Sequence, residues 1–199
     1  MKIALTLGLV ASTLVCTPSL ALSQQAPALY IPGVNYKLPG VMVTAAQIDT
    51  MKKNMLAKDA IDVPINMVEM GGHQAGVSLV IRKGPSAAPV LHDLVSEVYH
   101  VYEGTGTFNI GGELVNPTRR PTSRGNGPGL TGTDVRGGQQ FKLGKGDVLF
   151  VPAGTVHRFV SSDNMVVYTV TRMDPTKATP LQATSTDVPD TSNTGAPVR

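Results

Sequence analysis

The chain has 199 residues, with Lys+Arg 17 against Asp+Glu 14, a formal charge of +3 and no Trp. That length suits one domain with tails, and so mild a charge, without a run of like charges, argues against a nucleic-acid protein built on a basic face. Gly 21 and Pro 15 lie above average usage but short of low complexity; they favour short strands and turns over a helical bundle, whose interior excludes both residues.

Met1-Lys2 gives a positive start, Ile3 to Cys16 an apolar run, and Ala21 and Ser23 small residues just ahead of Gln24. This is the layout of a secretory signal peptide over residues 1–23. The apolar run is shorter than the ~20 residues a spanning helix needs, which argues against a membrane anchor. Bulky Val15 argues against a lipoprotein processed at Cys16. Cleavage would remove Cys16, the single cysteine. The expected product is a secreted or periplasmic chain with no transmembrane span and no disulfide.

Residues 24–60 read as an N-terminal extension. Pro27, Pro32 and Pro39 make Gln24 to Gly40 an extended lead-in. Thr44-Ala-Ala-Gln47 has capping-box spacing, and Ile48, Met51, Met55 and Leu56 follow at helical intervals, so one helix is predicted from Thr44 to Lys58. From Ile61 the pattern turns to short strands: Ile65 to Met70, Gly76 to Arg82, Val90 to Asp93, Glu97 to Tyr102, Gly106 to Ile110, Gln140 to Leu143, Asp147 to Val151, Val156 to Val160 and Met165 to Thr171. Closely spaced strands punctuated by Gly and Pro predict an all-β antiparallel sandwich or barrel over residues 61–173. Asn116 to Gly138, with Pro117, Pro121, Pro128 and several glycines, is predicted to be a long loop, either a lid, a binding loop or plain solvated chain. Its Arg119, Arg120, Arg124 and Arg136 would suit an anionic group such as a carboxylate. Residues 174–199, rich in Thr, Pro, Ser and Asp, read as a disordered tail.

The four histidines are His73, His92, His100 and His157. His92 lies five residues before Glu97, and His157 follows the Pro152-Ala-Gly154 turn. Such residues meet only if the sheet curls into a barrel, whose strands alternate inward and outward side chains. If Glu97 points inward, so do Tyr99 and Val101, while Val98, His100 and Tyr102 point outward. Tyr99 and Phe159 would line the cavity, with Tyr168 a further candidate, although all three are as readily plain core. Tyr99 and His73 are the candidate catalytic groups. His73, after Gly71-Gly72, is either a group reaching the barrel mouth or an ordinary turn histidine.

These residues resemble the cupins. In the first cupin motif Gly84, His92, Glu97 and Gly104 fall at the family's spacings, with Val90 where the first His stands. In the second, Gly146, Pro152, Gly154 and His157 match, with Ser161 in place of the final Asn. The resemblance covers about Ile61 to Arg172. It implies a double-stranded β-barrel of jelly-roll type, commonly a homodimer, holding one divalent metal, here through His92, Glu97 and His157. Two imidazoles and a carboxylate suit Fe, Mn, Cu, Ni or Zn alike, and leave positions open for substrate, water or oxygen. A buried Glu97 without a counter-charge would be costly, which favours a metal; the alternative is a barrel in which His92 and Glu97 merely pair. The expected function is a metal-dependent enzyme acting on a small organic molecule by oxidation or oxygenation. A metal-dependent lyase or isomerase and a non-catalytic small-ligand-binding protein are the alternatives.

Overall fold

The computed structural model describes residues 40–70, 72–123 and 126–179. The predicted signal-peptide segment, nearly all of the predicted lead-in and the predicted tail beyond residue 179 lie outside them. Helix α1 (Ala45–Ala57) starts where the capping box predicts. Gln47 N–H donates to Thr44 Oγ1 at 3.2 Å, and Thr44 N–H donates back to Gln47 Oε1 at 2.8 Å. Met51 and Met55 are fully buried beneath the helix.

Eleven strands follow: β1 (Asp62–Glu69), β2 (Gln74–Lys83), β3 (Val90–His92), β4 (Ser96–Ile110), β5 (Glu113–Val115), β6 (Thr118–Ser123), β7 (Gly127–Thr131), β8 (Asp134–Arg136), β9 (Gln139–Leu143), β10 (Val148–Val151) and β11 (His157–Asp174). All pairings are antiparallel. Strand β4 runs between β11 on one side and β10 and then β9 on the other, and β11 continues the curled sheet to β2 and β1 and to β3, β7 and β6.

The strand period of two divides the apolar residues between two cores. Inside the barrel, Val80, Tyr99, Val101, Phe108, Leu149, Phe159 and Tyr168 pack together. On the outer face Val63, Ile65, Leu79, Ile81 and Val167 pack under Met51 and Met55 of α1. Adjacent residues such as Val80 and Ile81, or Val167 and Tyr168, thus serve opposite faces.

Three expectations are corrected. The predicted breaks at Glu103–Thr105 and Ser161–Asn164 are instead bends within the long strands β4 and β11. The register between them shifts at Ser162/Val166, opposite Gly104 and Gly106. Gly104 has φ +77°, and a Cβ there would lie 2.0 Å from the Met165 carbonyl oxygen, so only glycine lets β4 pass. The predicted long loop from Asn116 to Gly138 is largely sheet, with β6 and β7 extending the barrel beyond β3 and β5 pairing with β8. Its glycines are sites of backbone approach rather than slack: a Cβ on Gly129 would lie 2.1 Å from the Leu91 carbonyl oxygen. Finally, residues 174–179 of the predicted tail are held in place. The Asp174 carboxylate accepts from the backbone N–H of Ala178 at 2.9 Å and of Thr179 at 2.7 Å, and from Gln74 Nε2 at 3.1 Å.

Candidate metal centre

Strand register brings three separated residues together. His92 ends β3, Glu97 is the second residue of β4 and His157 begins β11. All three are buried, and one ligand atom from each lies within 4.8 Å of the others. His92 Nε2 is 3.7 Å from Glu97 Oε1, and His157 Nε2 is 3.4 Å from Glu97 Oε2. The imidazole rings are 5.0 Å apart.

The Pro152–Gly154 turn positions both histidines. Gly154, at φ +76°, donates its N–H to the His92 carbonyl oxygen at 2.7 Å. Just beyond it, the Thr155 carbonyl oxygen lies 3.0 Å from His157 Nδ1. That contact places the proton on Nδ1 and leaves the Nε2 lone pair facing Glu97.

Arg172 and Tyr99 hold the carboxylate. Arg172 is the residue opposite Glu97 in the β4–β11 register. Its Nε donates to Glu97 Oε1 at 2.8 Å, while its other nitrogens donate to Ser78 Oγ at 2.7 Å and Asp62 Oδ2 at 2.6 Å. The Tyr99 hydroxyl donates to Glu97 Oε2 at 2.8 Å. The premise that Glu97 lacks a counter-charge is therefore wrong: a buried guanidinium supplies one.

These contacts set the charges. Burial pushes the His92 pKa down to about 4 against the pull of Glu97, and burial also lowers His157. Burial opposes charge on Glu97 too, but Arg172 and the two histidines overcome it and hold its pKa at about 2. Tyr99 is raised well above the ordinary phenol range by burial and by Glu97. At neutral pH the site presents two neutral imidazoles and one carboxylate, the protonation states that metal ligation requires. The donor set fits a divalent metal of the first transition row.

A cavity of about 90 Å³ opens onto these residues. Its wall includes Tyr99 and Phe159, as expected, the further candidate Tyr168, and also Val90, Asp62, Arg82, Arg120, Arg158 and Arg172. Of the predicted anion-binding arginines only Arg120 reaches it. Arg119 is exposed and paired with Asp93, Arg136 is exposed, and Arg124 lies outside the described residues. His73 is exposed in the β1–β2 turn and His100 is exposed on the outer face of β4; neither lines the cavity. Arg172, Arg82 and Asp62 were missed, although a signal for Arg172 exists. It continues the inward alternation Tyr168, Val170, Arg172, and a charge in an inward register position requires a buried partner.

Residues 131–193 match the family described as AraC-like ligand binding domain, a stretch that includes β8 to β11 and His157. No curated protein matches the chain by sequence. Among solved structures, a Bacillus halodurans protein is 16% identical with a TM-score of 0.43, covering 74% of this chain and 92% of its own. A Klebsiella pneumoniae protein with a double-stranded beta-helix domain is 18% identical with a TM-score of 0.37, covering 61% and 85%. A Thermus thermophilus protein is 17% identical with a TM-score of 0.38, covering 62% and 93%.

Proposed function

We propose that the chain is a cupin-type domain that binds one divalent metal through His92, Glu97 and His157 and acts on a small organic molecule in the adjoining cavity. The observation that carries this reading is the buried convergence of the three side chains within 4.8 Å. Val90 replaces a potential fourth ligand with an apolar wall, so coordination positions stay open toward the cavity. Such a metal would supply Lewis acidity or, if redox-active, oxygen chemistry. Two His and one carboxylate with open positions is the ligand set of non-haem oxygenases, which favours an oxidoreductase over a lyase or isomerase.

The chain's own groups would prepare the site. Arg172 keeps Glu97 ionised and fixes its rotamer. Thr155 fixes the His157 tautomer. Tyr99 remains a phenol that can donate to Glu97 or to a substrate oxygen, which makes it the candidate for proton delivery. The aromatic walls of Phe108, Phe159 and Tyr168 exclude water.

A second reading rests on a specific contact. Both Glu97 oxygens already accept hydrogen bonds, from Arg172 and Tyr99, which lowers the carboxylate's strength as a ligand. This favours a non-catalytic small-molecule-binding cupin. Metal content by mass spectrometry of the full chain, with His92→Ala and His157→Ala alongside, separates the two. A stoichiometric metal lost in both variants supports the metal site, and none in the parent supports the binding protein. We further propose export on the leader-like first 23 residues, and a homodimer through the outer face near Val98 and His100. Tyr102 on that face is partly claimed by α1, since its hydroxyl donates to Asp49 at 2.9 Å.

A further inference from the structure

Among the described residues, four arginines and two carboxylates line the cavity. Arg172 is consumed by Glu97, Asp62 and Ser78. Arg158 is held by Asp134, Ser86 and the Ala87 carbonyl oxygen. The other two have capacity to spare. Arg120 is only half-exposed on β6, yet among the described residues it has no hydrogen-bond or ion-pair partner. The Arg82 guanidinium is hydrogen-bonded to Tyr168, but its Nε is buried with no hydrogen-bond partner, as is Oδ1 of Asn126, also in the cavity wall. Buried donors without partners are costly, and their usual explanation is a bound group. With Arg158 matched by Asp134, the remaining Arg82, Arg120 and Arg172 face two carboxylates, Asp62 and Glu97, so the wall carries one cation in excess. A bound divalent metal would deepen the excess.

We propose that the cavity takes a small carboxylic acid, its carboxylate held by Arg120 and Arg82 and its carbon skeleton lying against Ala87, Ala88 and Val90. This rests on the site proposed above for its location but not for its chemistry. A guanidinium presents paired donors that match the planar carboxylate. The cavity is small, and its single cation in excess is matched by a monoanion and exceeded by a dianion, so a carboxylate is favoured over phosphate. Asn126 offers an acceptor for a hydroxyl or amino group on the same molecule.

Calorimetry on the full chain, metal-free and loaded with Mn²⁺, tests this with propionate, lactate, propionamide, lactamide and inorganic phosphate as probes. Each acid is expected to bind at least ~10-fold more tightly than its amide, about 1.4 kcal/mol. Arg120→Gln should erase that preference, and Arg119→Gln, on the outer surface, should keep it, with melting temperatures confirming that both variants fold. Equal binding of acid and amide, phosphate binding in preference to either acid, or an unchanged preference in Arg120→Gln would overturn the proposal. Arg120-dependent acid binding in a protein that takes up no metal would uphold it while the metal reading falls. Tight Mn²⁺ uptake with no acid preference would do the reverse.

Discussion

Val90 of β3 stands directly opposite His157 of β11, the one register pair that joins these strands. Its side chain also lines the cavity. A histidine at this position would therefore enter the site beside His157 and face the open side of the ligand set. Val90→His is expected to tighten Zn²⁺ or Mn²⁺ binding by roughly 10-fold or more, about 1.4 kcal/mol, and to weaken binding of small acids by occupying their space. Calorimetry with the metal alone checks the first effect. An unchanged affinity would place the metal elsewhere.

Arg172 is hydrogen-bonded to Glu97 and Asp62 at once, so its removal takes a shared partner from two carboxylates. Arg172→Met is expected to destabilise the metal-free protein by about 3–5 kcal/mol, the cost of breaking a buried pair from one side. Part of that loss should return on adding Mn²⁺, because the cation restores a partner to Glu97. Urea unfolding with and without the metal measures both quantities. A loss indifferent to metal would mean that Glu97 is not a ligand.

The depressed histidine and carboxylate pKa values make acid stability predictable. His92 is near 4 in the fold against 6.5 in an unfolded chain, so the unfolded state takes up more protons between these values and stability falls as pH drops from 6.5 toward 4. The full penalty is about 3 kcal/mol at roughly 1.4 kcal/mol per pKa unit. Glu97, near 2 against 4.5, extends the decline from pH 4.5 toward 2. Metal-free His92→Gln should make the upper window shallower, with buried His157 keeping part of it, and should slightly weaken the lower one, because His92 helps to hold Glu97 down. Urea midpoints measured from pH 7 to 3 decide it; a parent protein equally stable at pH 6.5 and 4.5 would contradict the assignment.

The three candidate ligands were legible because their spacing around Gly84, Gly104, Pro152 and Gly154 is local information. The inward-facing Glu97 and outward-facing His100 were legible too, because strand alternation is a rule of two. Arg172 was hidden by distance. It lies 75 residues from Glu97, and only the long-range register of β11 against β4 makes them partners. Strands β6 and β7 were hidden by composition, since Pro, Gly and Arg ordinarily mark loops. Their glycines are demanded by close strand approach, which propensity does not register.

Gly129 carries the clearest test of that point. It pairs with His92 in the β3–β7 register, and a Cβ there would lie 2.1 Å from the Leu91 carbonyl oxygen and 3.3 Å from the His92 Cα. Backbone cannot yield as a side chain does, so Gly129→Ala must push β7 away from β3 and shift His92. A destabilisation of about 2–4 kcal/mol is expected, within the range of steric mutations that force backbone apart, together with a weaker metal site. Gly72→Ala is the control: a Cβ there meets nothing within 4 Å, and its effect should stay within about 0.5 kcal/mol. If β6 and β7 were instead a solvated loop, both substitutions would be equally silent in urea unfolding. A large effect confined to Gly129→Ala, with reduced Mn²⁺ affinity in the same variant, would tie the β3–β7 pairing to the position of His92.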